Sequence, residues 1–96
     1  MPSTTTVTKP VSDTVTKHYP NWCVIVLNDD HNTFRHVVSC FVMILPNMTP
    51  ETAWGLADRI HNDGVATVWS GPREQAEMYH QQLGTKGLTM APLRPE

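Results

Sequence analysis

The residues best suited to chemistry in this 96-residue chain are three short polar side chains in a row, Asn28-Asp29-Asp30, and one histidine, His61. The polar run follows directly on the apolar run Val24-Ile25-Val26-Leu27 and precedes a helical pattern, a place where binding groups are held close to a rigid strand end. Carboxylates near a helix start are also favoured by the helix dipole. A neutral imidazole both donates and accepts hydrogen bonds, so His61 suits binding an ammonium group or orienting a water. Each feature has a plainer reading. Asn and Asp satisfy local backbone groups in turns, and spacing alone favours that reading. A histidine on the last turn of a helix also interacts with the helix C-terminus.

Other chemistries fit poorly. Paired carboxylates work as acid and base only where two environments split their pKa values. Consecutive turn residues are expected to point apart and stay solvated. His31 and His36 are five apart and no H-x-x-x-H pair occurs, which argues against a metal. Cys23 and Cys40 lie on apolar faces with no basic neighbour to activate a thiol. There is no Gly-rich phosphate loop and no G-x-S-x-G. A hydrolase built on Asp29, Asp30 and His61 would need turnover, and none is expected; no catalytic residue and no cofactor is assigned.

Composition narrows the class further. Apolar residues make up 40% and charged residues 17%, with a net charge of −2, which fits a single globular domain and excludes a concentrated basic surface for nucleic acid. The longest apolar run, Val37 to Leu45, is broken by Ser39 and stopped by Pro46, well short of the ~20 residues that span a bilayer. No membrane contact is expected. Two cysteines inside apolar segments read as free buried thiols in a reducing compartment, the cytosol or its equivalent, the plastid stroma included. A monomer is expected.

Periodicity supplies the elements that must position these residues. Residues 1–20, rich in Thr and Pro without periodicity, read as a disordered N-terminal extension, either a flexible delivery arm or a passive leader. Order is expected over 21–96. Trp22 to Leu27 reads as a core strand ending in the polar turn. Phe34, Val37, Val38, Phe41, Val42 and Leu45 fall at helical spacing, with Thr33 as N-cap and Pro46-Asn47 as the stop. Thr49, Pro50 and Glu51 start a second helix with Ala53, Leu56, Ala57 and Ile60 on its apolar face, and Gly64 suits a left-handed cap. Val65 to Trp69 reads as a second strand. Ser70-Gly71-Pro72 opens a third helix bearing Ala76, Tyr79 and Leu83 and closed by Gly84. Leu88 to Ala91 reads as a short last strand. The order β-α-α-β-α-β indicates an α+β domain with a small sheet covered on one face.

At this point the chain resembles a known family. The strand entering Asn28-Asp29-Asp30, then Phe34, Val37-Val38, Ala53 and the helix end Ile60-His61-Asn62-Asp63-Gly64 are similar to the ClpS adaptors of the bacterial and plastid N-degron pathway, over about residues 21–93. The resemblance implies a three-stranded antiparallel sheet with three helices. It implies a non-enzymatic adaptor that captures proteins with Leu, Phe, Tyr or Trp at the N-terminus and hands them to a ClpA- or ClpC-type AAA+ unfoldase that feeds ClpP. By the same resemblance, Asn28, Asp29 and His61 would bind the substrate α-amino group, Asp29 directly or through water. Asp30 and Asn32 would hold the peptide backbone at the mouth. Phe34, Val37, Cys40, Ala57 and Ile60 would line the side-chain pocket, and Arg73, Glu74 and Glu77 would dock the unfoldase. The chain departs from the family pattern at Phe34 and Ala57, where Met is common, at Asn32, usually Thr, and at Tyr79, often Lys. The Phe34/Ala57 exchange either reshapes the pocket or plugs it.

Overall fold

The computed structural model describes residues 19–96; residues 1–18 of the N-terminal extension proposed above lie outside the described residues. Four strands and three helices follow in the order β1 (Trp22–Leu27), α1 (Phe34–Ile44), α2 (Pro50–Asp63), β2 (Val65–Gly71), α3 (Arg73–Thr85), β3 (Thr89–Met90) and β4 (Arg94–Pro95). β1 is central. It pairs antiparallel with β2 on one side, Trp22 opposite Gly71 and Leu27 opposite Val65, with a register shift at Val24/Ile25. On its other side it pairs with β3 near its end and with β4 near its start. The expected last strand, Leu88 to Ala91, is present as β3, and the short β4 follows it as an addition. Pro92 has no N–H to donate, and the chain leaves the ladder between Ala91, whose N–H reaches the Ile25 oxygen at 3.0 Å, and Arg94.

The helix ends follow capping chemistry. Thr33 and Thr49 accept from the backbone N–H groups of His36 and Thr52, and Pro50 takes the first turn of α2, where its missing N–H costs nothing. Gly64 caps α2 at φ 86°, a conformation that Gly adopts without strain. α3 departs from expectation at its end. Gly84 stays inside the helix, which runs to Thr85, and the left-handed residue is Gly87 at φ 95°.

The core joins Val24 and Val26 of β1, Phe41 of α1, Ala53 and Ile60 of α2, Val68 of β2, and Ala76 and Leu83 of α3. β2 alternates buried Ala66 and Val68 with exposed Val65 and Thr67, so one sheet face meets the helices and the other meets solvent. α1 shows one correction. Val42, expected on the buried stripe, is 39% exposed, whereas Cys40 is buried as expected. About 100° per residue places these two on opposite flanks of Phe41. The Cys40 flank is the one turned toward the α3–β3 connection, where the His36 Nε2 meets the Lys86 carbonyl at 2.8 Å. Among the described residues no helix is long and apolar enough to cross a membrane.

Candidate functional site

The polar turn after β1 is anchored to the end of α2. The Asn28 N–H donates to the Gly64 carbonyl at 3.0 Å, three residues past His61. This bond brings together two sequence features 33 positions apart, since His61 lies on the last turn of α2.

Within the turn, Asp29 is the organiser. One carboxylate oxygen, Oδ1, accepts from the His31 and Asn32 backbone N–H groups, both at 2.8 Å. The other, Oδ2, accepts from the Asn32 side-chain amide at 2.8 Å and from the Thr89 hydroxyl at 2.6 Å. The Asn32 amide also donates to the Gly87 carbonyl at 3.0 Å. Four donors favour the ionised form. The Thr89 hydroxyl foremost, then the Asn32 N–H, hold the carboxyl well below the usual range against an opposing push from partial burial. Asp29 is thus favoured in its ionised form and tied to its loop, not a poised acid or base. Asp30 is exposed.

Between this turn and α2 lies a cavity of about 30 Å³. Its polar side carries Asn28, Asp29, Asn32, His61 and Thr89; its apolar wall carries Phe34, Val37, Ala57 and Ile60, closed below by Val26, Leu27 and Leu88. The Phe34 ring stands edge-on to His61, centroids 5.4 Å apart, and tilts against Trp54 at 5.7 Å. That volume holds about two waters.

Sequence reasoning brought most of the rim and wall together, but not all. Cys40 does not line the cavity. It is 2% exposed, with its sulfur 3.6 Å from the His36 Nε2, and burial pushes the thiol up against a smaller opposing effect of Lys86. Asp30 is not a lining residue either. Arg73, Glu74 and Glu77 lie at the other end of the molecule. The Arg73 guanidinium sits 4.8 Å from the Trp22 ring centroid at the start of β1, with its Nε 3.1 Å from a Glu77 carboxylate oxygen. At ~3.3 Å per strand residue, that end is ~20 Å from Asn28.

Val26, Leu27, Leu88, Thr89 and the neighbouring Trp54 were not singled out from sequence. The only available hint was the short strand containing Leu88 and Thr89, because its pairing with β1 was not legible. The spacing Glu77-x-x-His80, which could suggest a metal, is used otherwise: Glu77 meets Arg73, and His80 meets the Ala91 carbonyl at 2.8 Å. Among the described residues no cluster of three or more His, Cys, Asp or Glu could hold a metal ion.

Comparison with known proteins decides the class. The family model described as ATP-dependent Clp protease adaptor protein ClpS matches residues 17–95. The chain belongs to the ClpS adaptor family. It is 61% identical over 80 residues to the ClpS adapter of Thermosynechococcus vestitus, covering 83% of this chain and 85% of that one. It is 56% identical over 94 residues to the ClpS adapter of a Nostoc species, covering 97% of each. The structure of Agrobacterium tumefaciens ClpS2 bound to L-phenylalaninamide shares the fold, with a TM-score of 0.74 at 23% identity over 80% of this chain and 98% of that one. This ClpS-family chain is accordingly an adaptor of the Clp protease.

Proposed function

We propose that this adaptor recognises proteins by a free N-terminus followed by a bulky apolar first side chain, Leu, Phe, Tyr or Trp, and delivers them to a ClpA- or ClpC-type AAA+ unfoldase working with ClpP. The observation that carries the reading is the juxtaposition of an acceptor-rich rim, Asn28, Asp29 and His61, with an apolar wall of Val37, Ala57 and Ile60 around one cavity. Such a site reads an ammonium and a side chain together. L-Phenylalaninamide, the ligand of the Agrobacterium relative, has both features, a free α-amine and a phenyl group.

In this reading Asn28 and His61 accept hydrogen bonds from the ammonium. Asp29, its lone pairs already engaged by four donors, contributes negative potential at the rim. Asp30 and Asn32 meet the following backbone. Phe34 swings aside to admit the first side chain, and Cys40 packs behind the wall. Burying a Phe or Leu contributes ~1.5–3 kcal/mol. Each hydrogen bond to the charged amine contributes ~1.5–3 kcal/mol. After ordering costs, the sum falls near the ~8 kcal/mol of a micromolar complex, weak enough for a carrier to release its cargo. Arg73, Glu74 and Glu77, ~20 Å away by strand length, leave the substrate site free while the unfoldase docks. Residues 1–20 would take part in delivery.

The test is degradation of a reporter protein whose only variable is its first residue, by the cognate unfoldase and ClpP. Addition of the adaptor is expected to accelerate loss of Phe- and Leu-initiated reporters and leave an Ala-initiated one unchanged; equal acceleration of all three would refute the reading.

A second reading rests on the small cavity and on the Phe34 ring packed against His61. In it the pocket is closed for good and the adaptor engages its cargo elsewhere. Loss of all first-residue dependence would favour it.

A further inference from the structure

The Thr89 hydroxyl makes the shortest contact in the site, 2.6 Å to the outer oxygen of Asp29, across a gap of 60 residues in sequence. β3 brings it there. Thr89 pairs with Leu27 at the end of β1, and Asp29 follows two residues later. The other three donors to Asp29 come from its own loop, from the His31 and Asn32 N–H groups and the Asn32 amide. Among the described residues Thr89 is the one donor from outside that loop, and it also lines the cavity.

Building on the N-terminal recognition reading above, we propose that Thr89 is a positioning residue for that recognition: its hydroxyl pins the Asp29 carboxylate at the rim so that a fixed anion faces the incoming ammonium. Without that bond the loop still closes on itself through Oδ1, and Oδ2 keeps the Asn32 amide, but the direct tie between the carboxylate and β3 is gone. The carboxylate is then held from its own loop alone and spends part of its time turned from the cavity, where solvent screens its field. The same hydroxyl favours the ionised carboxyl, so its loss also moves the Asp29 titration upward.

Other charges surround Asp29. Asp30 and His31 share its loop, His36 stands on the first turn of α1, His61 faces the cavity from α2, and Lys86 lies in the turn before β3. With several ionisable groups sharing the site, binding alone does not isolate Asp29. Asp29 must be observed directly.

The experiment compares the wild-type chain with Thr89→Val and Thr89→Ser. Valine keeps the β-branched shape that a strand favours and removes the hydroxyl; serine keeps the hydroxyl. Two quantities are read. One is the affinity for a Phe-initiated peptide with a free N-terminus at neutral pH. The other is the Asp29 carboxyl carbon shift against pH by NMR. The expected result is about fivefold weaker binding for Thr89→Val, equivalent to about 1 kcal/mol, with Thr89→Ser within about twofold of wild type. The Asp29 midpoint should rise in Thr89→Val toward the ordinary value of about 3.9 and stay low in Thr89→Ser. Wild type and Thr89→Val binding the peptide equally would overturn the inference and leave the recognition reading intact. An unshifted Asp29 midpoint in Thr89→Val would overturn it as well. A wild type that binds no free N-terminus would overturn both.

Discussion

The Asn28 N–H donates to the Gly64 carbonyl over 3.0 Å, and this bond sets the distance between the two halves of the candidate site. Gly64 in turn donates its own N–H to Ile60 from a left-handed backbone at φ 86°. The end of α2, and His61 with it, is therefore fixed to the end of β1 through a residue that only glycine fills without strain. Gly64→Ala should cost about 1 kcal/mol. By calorimetry that is a melting temperature lower by about 4–8 °C in a domain of this size. Affinity for an N-terminal Phe peptide should fall with it, because the His61 turn shifts.

His61 is exposed and its ring meets only Phe34 among the aromatic residues described, so it contributes little to the fold. His61→Ala should leave the melting temperature near that of wild type. It should weaken a free-amine peptide about tenfold, the worth of one hydrogen bond to a charged group. Titration calorimetry with free and acetylated peptides would show whether the loss is confined to the free amine.

Phe34 and Ala57 share one cavity wall. Ala57 is 4% exposed, so a longer side chain there has nowhere to go but into the hole. Ala57→Met should overfill it, destabilising the fold by about 1–3 kcal/mol and weakening a Phe peptide about tenfold. The pair Phe34→Met/Ala57→Met should recover most of that loss, a coupling of more than about 0.5 kcal/mol by double-mutant cycle.

Asp29 should make stability fall in acid. Its folded-state pKa lies below the unfolded one, so its contribution is complete above the unfolded value of about 3.9 and is lost as pH falls through the folded value. Asp29→Asn removes that dependence and sets an amide against the Thr89 and Asn32 donors, a cost of about 1–2 kcal/mol near neutrality. Urea unfolding should show a gap between the two proteins at neutral pH that narrows in strong acid.

Gly71 carries the Trp69 indole where a Cβ would stand, and Trp69 is itself wedged edge-on against Tyr79 with ring centroids 4.8 Å apart. Gly71→Ala must displace the indole and should cost about 1–3 kcal/mol. Near-ultraviolet circular dichroism would register the moved tryptophan. Peptide affinity should change little, since Gly71 pairs with Trp22 at the far end of β1.

Where local chemistry decides, the sequence was readable. The bounds of β1, the Thr33 and Thr49 caps and the Gly64 cap each follow from one or two side chains. Reading failed where a partner from elsewhere decides. Gly84 looked like a helix end, but α3 continues past it to Thr85 and uses Gly87. Val42 fitted the helical period, yet the covering elements favour the Cys40 flank of α1. The short β4 could not be seen because it exists only through its pairing with β1. The site divides in the same way. Asn28, Asp29 and His61 stood out by type and position, whereas Thr89 matters only through an atom 60 residues away. Cys40, placed on the pocket by the family resemblance, is not among the residues lining the cavity, because a family pattern does not show how this chain's own side chains pack.

The most direct test of the central claim is the affinity of one Phe-initiated peptide of about ten residues, measured by fluorescence anisotropy with its N-terminus free and then acetylated. Acetylation removes the charge and leaves the phenyl side chain unaltered. The account predicts a dissociation constant near micromolar for the free peptide and a loss of at least about a hundredfold on acetylation, the worth of roughly two hydrogen bonds to the ammonium. Equal affinity for the two forms would contradict it, because the rim of Asn28, Asp29 and His61 would then be reading nothing.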